Sequence, residues 1–437
     1  MKRLILTFLL LSVFLAARSQ LYFPPNTPGI WDTLSPTTLG WCQHKIDSLY
    51  QFLDSSDTKA FILLKDGKIV LEQYFNGHTA GDFWYWASAG KTLTATLVGI
   101  AQQEGLLHIS DTSRHYLGQG WTNCSPGQEE KITIWHQLTM TSGLDDAAPD
   151  PYCTLDTCLN YLAEAGTRWA YHNAPYTLLD SVLETATGLS LNQYTNLKVK
   201  AVTGMDGLFF PQGYNNLFIS TPRSMARFGL LILNRGTWDG IPILFDSVYF
   251  NAMTISSQNL NEAYGYLWWL NGTNSFMLPQ SQIVFPGSLF PNAPADMISA
   301  LGKDGQMLNV VPSQNLVWLR MGEAPSTTFA PFLLNNEIWE FVNDLACNPV
   351  ETYQYPATHT NWVLYPNPVR DVAHLQRSGE TSISTEYALY NGMGKLTRKG
   401  VISGADFRLD MSNMPEGCYY LILSSGEGRQ GIHFIKQ

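Results

Sequence analysis

The sequence predicts an α+β fold: an antiparallel sheet closed by distant parts of the chain, flanked by helices with a helical subdomain, and followed by a small C-terminal β-sandwich. Three observations predict it. Strand patterns occur near the start and return only near residue 298, with apolar residues at helical spacing between them. The texture changes after about residue 360 to short strands parted by Gly- and Asn-bearing turns. The length, 437 residues, exceeds one ordinary domain. Charged residues make up 14% of the chain and hydrophobic ones 45%, which excludes a disordered chain. A formal charge of -10 repels phosphate backbones, so no nucleic acid partner is expected.

In chain order, Lys2 and Arg3 precede an apolar run from Leu4 to Leu15 and the small-residue stretch Ala17-Arg18-Ser19, the pattern of an export signal over residues 1–19. The run is too short to span a bilayer, so no transmembrane anchor is expected. A Pro-rich leader, 20–39, opens the mature chain. The main domain is placed at 40–347. Within it, Cys42–Leu53 reads as a helix, and Ala60–Leu64 and Ile69–Leu71 as strands joined by the hairpin turn Asp66-Gly67. A helix-rich stretch covers about 84–255, for instance Leu93, Leu97, Ile100 and Ala101, with Gly105 as the stop. Strands follow at Ile298–Leu301, Met307–Val311 and Leu316–Met321, then a helix at Pro331–Leu345. The two ends of this domain are expected to be neighbours. Residues 348–360 have linker composition, and 361–437 form the second domain.

Export permits disulfides among the six cysteines. Cys153 and Cys158 can close a small loop, and Cys42 and Cys347 can staple the two ends of the main domain; scattered free thiols remain the alternative. No Cys/His cluster has the spacing of a zinc site, and no metal or organic cofactor is expected.

Ser88-Ala89-Gly90-Lys91 opens the apolar helix, so Ser88 and Lys91 share a face one turn apart, as a nucleophile and its base require. The helix N-terminus favours an alkoxide, and burial there drives lysine toward its neutral amine. Ser56-Asp57-Thr58-Lys59 has the same spacing in a polar stretch, where capping is the plainer reading. Tyr171-His172-Asn173 is a candidate proton-shuttle and amide element before an amphipathic helix. Tyr74, Tyr194, Tyr214 and Tyr249 also have Asn two residues on, so the pattern gains meaning only from its place. Ala300-Leu301-Gly302-Lys303-Asp304-Gly305-Gln306 reads either as a strand edge lining a site, with glycine allowing close approach, or as a plain hairpin turn.

In this order the motifs resemble the serine β-lactamase and penicillin-binding-protein superfamily, in particular its class C-like branch with carboxylesterases, D-amino-acid peptidases and 6-aminohexanoate-oligomer hydrolases. The resemblance covers roughly residues 40 to 345. It includes Leu138-Thr139-Met140-Thr141-Ser142-Gly143-Leu144, Gly166-Thr167-Arg168-Trp169, Ser220-Thr221-Pro222-Arg223 and Tyr264-Gly265-Tyr266-Leu267-Trp268-Trp269. It implies a β-lactamase/transpeptidase-like fold, Ser88 as acylated nucleophile, Lys91 as base, Tyr171 as proton shuttle and Asn173 as a contact of substrate and Lys91. The Ser88 amide would form half of an oxyanion hole. If Lys303-Asp304-Gly305 replaces Lys-Thr-Gly, the Gln306 amide forms the other half. In the favoured register Ala300-Leu301-Gly302 fills the motif and the Lys303 amide completes the hole. The displaced cation and the lack of a class A-type Glu loop put antibiotic hydrolysis behind ester or amide hydrolysis. Trp84, Tyr85, Trp86, Trp268 and Trp269 are candidates for an apolar wall around an acyl group, or plain core.

Leu364-Tyr365-Pro366-Asn367-Pro368, Leu389-Tyr390-Asn391 to Gly394, Met414-Pro415-Glu416-Gly417-Cys418-Tyr419-Tyr420 and Phe434-Ile435-Lys436 resemble the C-terminal sorting domain of type IX secretion. That implies handling by the type IX machinery and a secreted protein, extracellular or on the outer-membrane surface. A carbohydrate-binding or adhesive sandwich is the alternative for this segment. The resemblance as a whole implies a secreted serine hydrolase acting on a small ester, amide or peptide. Its rivals are a non-catalytic peptide or cell-wall binder on the same fold, a β-lactamase or DD-peptidase, and an adhesin built around the tail.

Overall fold

The computed structural model describes residues 21–27, 29–323, 331–347, 362–378, 384–391, 395–425 and 428–437. The export-signal segment 1–19, the linker 348–360 and the 392–394 part of the tail motif lie outside these. The described residues up to Cys347 form one compact unit and those beyond it a second.

In the first unit, helix α1 (Gln43–Ser55) leads into β1 (Thr58–Lys65) and β2 (Lys68–Tyr74). Short strand β3 (Trp84–Tyr85) precedes helix α2 (Lys91–Gln103), and α3 spans Asn173–Thr187. Strands β4 (Leu208–Gln212) and β5 (Asn215–Ser220) then lead to α4 (Pro222–Leu233). The chain returns through β6 (Trp269–Leu270), β7 (Ile298–Gly302), β8 (Gln306–Val311) and β9 (Leu316–Gly322), and ends in α5 (Phe332–Asn343).

The main sheet has the order β2-β1-β9-β8-β7-β6, antiparallel throughout. The first hairpin turns on Asp66 and Gly67, both at positive φ (51 and 82), as a type I′ turn requires. Pairing of β1 with β9, Leu63 opposite Trp318, closes the sheet between chain ends. Cys42 and Cys347 are disulfide-bonded beside the Trp41–Ala346 bridge, so the ends of the unit are neighbours. Cys153 and Cys158 form the second disulfide, and Cys124 and Cys418 are free.

Central strands β8 and β9 are buried along their whole length because both faces are covered. Alternate side chains of β9 serve opposite layers. Val317 meets Gly229 of α4, whereas Trp318 packs edge-on against Trp339 of α5 at 5.7 Å. Phe52 of α1 stacks on Phe341 of α5 at 4.6 Å, completing that second layer. Arg320 of β9 is fully buried. Its guanidinium donates to Thr58 Oγ1 (3.0 Å), Gly305 O (2.8 Å), Ser56 O and Glu323 O. Burial pushes its pKa down to about 10, so it remains charged at neutral pH. Thr58 of the second Ser-x-x-Lys thus anchors the sheet.

The leader is part of this unit. Arg227 of α4 donates to Pro24 O and Pro25 O, and Trp31 Nε1 donates to Gly67 O at 2.8 Å. The middle segment is less purely helical than its spacing suggests. Strands β3, β5 and β4 form a separate three-stranded sheet within it, because the Phe209-Phe210 and Leu217-Phe218-Ile219 runs pair across the Gly213 turn instead of coiling.

The second unit has two antiparallel sheets around one apolar core that includes Trp362, Leu389, Leu409, Leu421 and Phe434. β10 (Trp362–Tyr365), β11 (Val372–Arg377) and β14 (Asp406–Asp410) form one sheet. The other contains β12 (Thr385–Asn391), β13 (Leu396–Ile402), β15 (Gly417–Ser425) and β16 (Gly428–Lys436). It is a small β-sandwich, as expected. The strands at 362–365, 372–377 and 396–402 escape the sequence reading because their polar residues blur the alternation. Among the described residues no helix is long and apolar enough to cross a membrane.

Candidate active site

The site is built at the first turn of the buried helix α2. Trp86 is fully buried and fixed on three sides: its N–H donates to Phe218 O (2.9 Å), its Nε1 to Ser220 Oγ (2.8 Å), and its ring meets Phe218 edge-on. Ala87 follows at φ 47, a left-handed conformation costly for a residue with a Cβ. That kink turns the next residue, Ser88, toward open space. Ser88 lies in a 3-10 turn, Ala87–Gly90, which passes directly into α2, rather than in the helix proper.

Lys91 Nζ is 2.7 Å from Ser88 Oγ in a hydrogen bond. The lysine is 3% exposed, and burial lowers its pKa to about 7, with Asp180 opposing the shift. An amine with that affinity is substantially unprotonated near neutrality. Its Nζ lies 5.2 Å from the centre of the Tyr171 ring and 4.3 Å from that of Tyr176. Tyr171 stacks on Trp269 (5.7 Å, 19°) and meets Tyr264 edge-on. Burial pushes its phenol well up, and hydrogen bonding with Ser88 pulls the other way. It therefore stays protonated across the neutral range. Asn173 is the first residue of α3 and buried. His172 between them is held neutral by burial, at about 4.

The opposite wall is the end of β7. A Cβ at Gly302 would meet Trp86 O at 2.3 Å and Ala87 Cβ at 3.0 Å, so only glycine brings this strand against the Ser88 turn. Lys303, Asp304 and Gly305 form the connecting turn, with Asp304 at φ 63. Asp304 Oδ2 accepts from Tyr85 OH at 2.9 Å. The Gln306 side chain is fully buried and braces the turn, donating to Gly322 O (2.6 Å) and accepting from Gly322 N.

A cavity of about 470 Å³ lies between these walls. Ser88, Lys91, Asn173 and Lys303 line it; Tyr171 stands behind Lys91, and Gly302 behind the Ser88 turn. Of the five aromatic residues considered for a substrate wall, Tyr85 alone lines the cavity. Trp86, Trp268 and Trp269 are buried core; Trp269 backs Tyr171 and Trp268 stacks on Phe228. The aromatic wall is thus corrected in its members: Tyr85, Tyr152, Tyr176 and Phe210 line the cavity together with amide side chains. Gln212, Asn215 and Asn216 of the β4–β5 hairpin line the cavity with Tyr152 and Tyr176. The signal for that hairpin was the aromatic run ending at Gly213 followed by a second apolar run.

Helices on both faces of a six-stranded antiparallel sheet, with a serine and lysine at the head of the buried helix, define a β-lactamase/transpeptidase-like protein. The chain belongs to the Beta-lactamase family, whose sequence profile matches residues 57–331. Residues 363–437 match the secretion system C-terminal sorting domain. No curated protein matches the chain. Similar solved structures include a protein assigned as a 6-aminohexanoate-dimer hydrolase from Bacillus anthracis, with TM-score 0.56 and 19% identity, covering 74% of this chain and 89% of that one. A family VIII carboxylesterase has TM-score 0.53 and 15% identity, covering 70% and 99%. A penicillin-binding protein homologue from Caulobacter crescentus has TM-score 0.54 and 12% identity, covering 70% and 98%. These likenesses concern the fold.

Proposed function

We propose that this protein is a secreted serine hydrolase that cleaves a carboxyl ester or amide through an acyl-enzyme. The observation that carries the reading is the buried amine of Lys91 at 2.7 Å from Ser88 Oγ. As the free amine, Lys91 accepts the Ser88 proton while Oγ bonds to the substrate carbonyl carbon. The Ser88 and Lys303 amides hold the oxyanion, the favoured register being supported by the contact of Gly302 with the Ser88 turn. The bond to the leaving group breaks as the proton passes to it by way of Tyr171, whose raised pKa keeps it a proton donor. Water then attacks the acyl carbon, gives its proton to Ser88 Oγ and releases the acid. Asn173 orients substrate and Lys91.

The sorting domain supports export through the type IX machinery, with release or display at the outer-membrane surface. A second reading, a β-lactamase or DD-peptidase, is favoured by one feature: exposed Lys303 lines the cavity and makes no ion pair among the described residues, which suits a substrate carboxylate. The test is a panel of chromogenic esters, D-amino-acid amides and a β-lactam, run on the mature chain beside Ser88→Ala. Loss of all turnover and of fluorophosphonate labelling in Ser88→Ala is expected. Full ester hydrolysis by that variant would overturn the proposal, and a wild-type chain that is never labelled would point to the non-catalytic binder.

A further inference from the structure

Of the buried titratable groups with no role in the chemistry above, Asp180 is the one whose charge acts on Lys91. Asp180 lies on α3 and is 7% exposed. Its Oδ2 accepts from Asn216 Nδ2 at 3.2 Å, while Oδ1 is buried without a hydrogen bond. Burial raises its pKa to about 7, so its charge, present above that pH, is expensive to keep unless something nearby needs it. Helix α3 places Tyr176 one turn before Asp180, on the same face. The Tyr176 ring carries Lys91 Nζ at 4.3 Å, so base and carboxylate flank one aromatic side chain.

We propose that Asp180, held by Asn216, is the positioning residue that sets the proton affinity of Lys91. This rests on the reading of Lys91 as the base of Ser88. Burial alone drives the amine toward too weak a base to take a serine proton; a negative charge across Tyr176 restores part of that affinity. Asn216 is the only side chain among the described residues that both lines the cavity and hydrogen-bonds Asp180. The groups facing Asp180 are Lys91 and Thr94 from α2, Glu184 and Tyr176 from its own helix, and Asn216 from β5. Those facing Lys91 are Ser88, Tyr171, Tyr176 and Asp180. Burial raises Asp180 and Lys91 attenuates the rise, while burial lowers Lys91 and Asp180 attenuates the fall, the reciprocal signature of one interaction.

The test is the pH dependence of kcat/KM for a chromogenic ester, measured on the full mature chain as wild type, Asp180→Asn, Asp180→Glu and Asn216→Ala. Without the negative charge the ammonium form loses support, so the acid limb of Asp180→Asn is expected to move about one pH unit lower. The maximum should fall as the base weakens, and Asp180→Glu should return the limb toward the wild-type position. Asn216→Ala strips the carboxylate of its donor, favours its protonated form, and should shift the limb in the same direction by less; it reads the same coupling should Asp180→Asn fail to fold. A loss of rate with the limb unmoved in either foldable variant would mean a merely structural role and overturn the inference. If Ser88→Ala retains hydrolysis, the reading of the site fails first, a separable result.

Discussion

Replacing Lys91 by methionine, of similar volume and without charge, should make the protein more stable and inactive, and the stability gain should depend on pH in a calculable way. The ordinary lysine value of 10.5 is lowered to about 7 in the fold by burial. The folded state therefore binds fewer protons at this site than the unfolded state between those values, so the burden Lys91 places on folding is greatest at low pH and disappears as pH rises past 10.5. At ~1.4 kcal/mol per pH unit the burden is about 5 kcal/mol at pH 6, where both states are nearly protonated, and about 2 kcal/mol at pH 9. The lost Ser88 hydrogen bond offsets about 1 kcal/mol at both pH values. It cancels in the comparison. The gain from Lys91→Met should hence shrink by about 3 kcal/mol from pH 6 to pH 9. The assay is denaturant unfolding of wild type and variant at the two pH values, followed by tryptophan fluorescence with m-values compared. A pH-independent difference would falsify the claim that burial neutralises this amine. Activity should drop at least ~10³-fold, since parts of one catalytic unit do not act additively.

Other outcomes follow from the same geometry. Gly302→Ala forces a Cβ to within 2.3 Å of Trp86 O, which should displace the Lys303 amide and cost ~10²-fold in kcat with less effect on KM; wild-type kcat would exclude the favoured register. Cys42→Ser with Cys347→Ser opens a bridge spanning 305 residues and should lower stability by about 2–5 kcal/mol in unfolding experiments. Neither cysteine lines the cavity, so kcat/KM at 25 °C should be retained.

The order of strands and helices was legible wherever one face or both were consistently apolar. The Ile298–Leu301, Met307–Val311 and Leu316–Met321 runs, the Asp66-Gly67 turn and the α2 helix are legible from pattern alone, each strand extending by one residue in the structure. The β4–β5 hairpin was absorbed into the helical middle because Asn215, Asn216 and Gln212 face a cavity, so their polarity breaks the alternation that marks a half-buried strand. Trp86, Trp268 and Trp269, offered as a substrate wall, are core for the converse reason: an aromatic run announces burial but not which surface it is buried against.

By itself, then, the sequence determined what depends on neighbours along the chain: periodicity, turn chemistry, the one-turn spacing of Ser88 and Lys91, and the motifs that place the chain in its family. Only the tertiary structure decided what depends on distance through space. It set the burial that lowers Lys91, the stacking of Trp269 behind Tyr171, the close approach of Gly302 to the Ser88 turn, and the electrostatic coupling of Asp180 to Lys91. Desolvation and Coulomb energies are set by every group packed around a charge, and those groups come from α2, α3, β5 and β7, stretches with no regular spacing in the sequence.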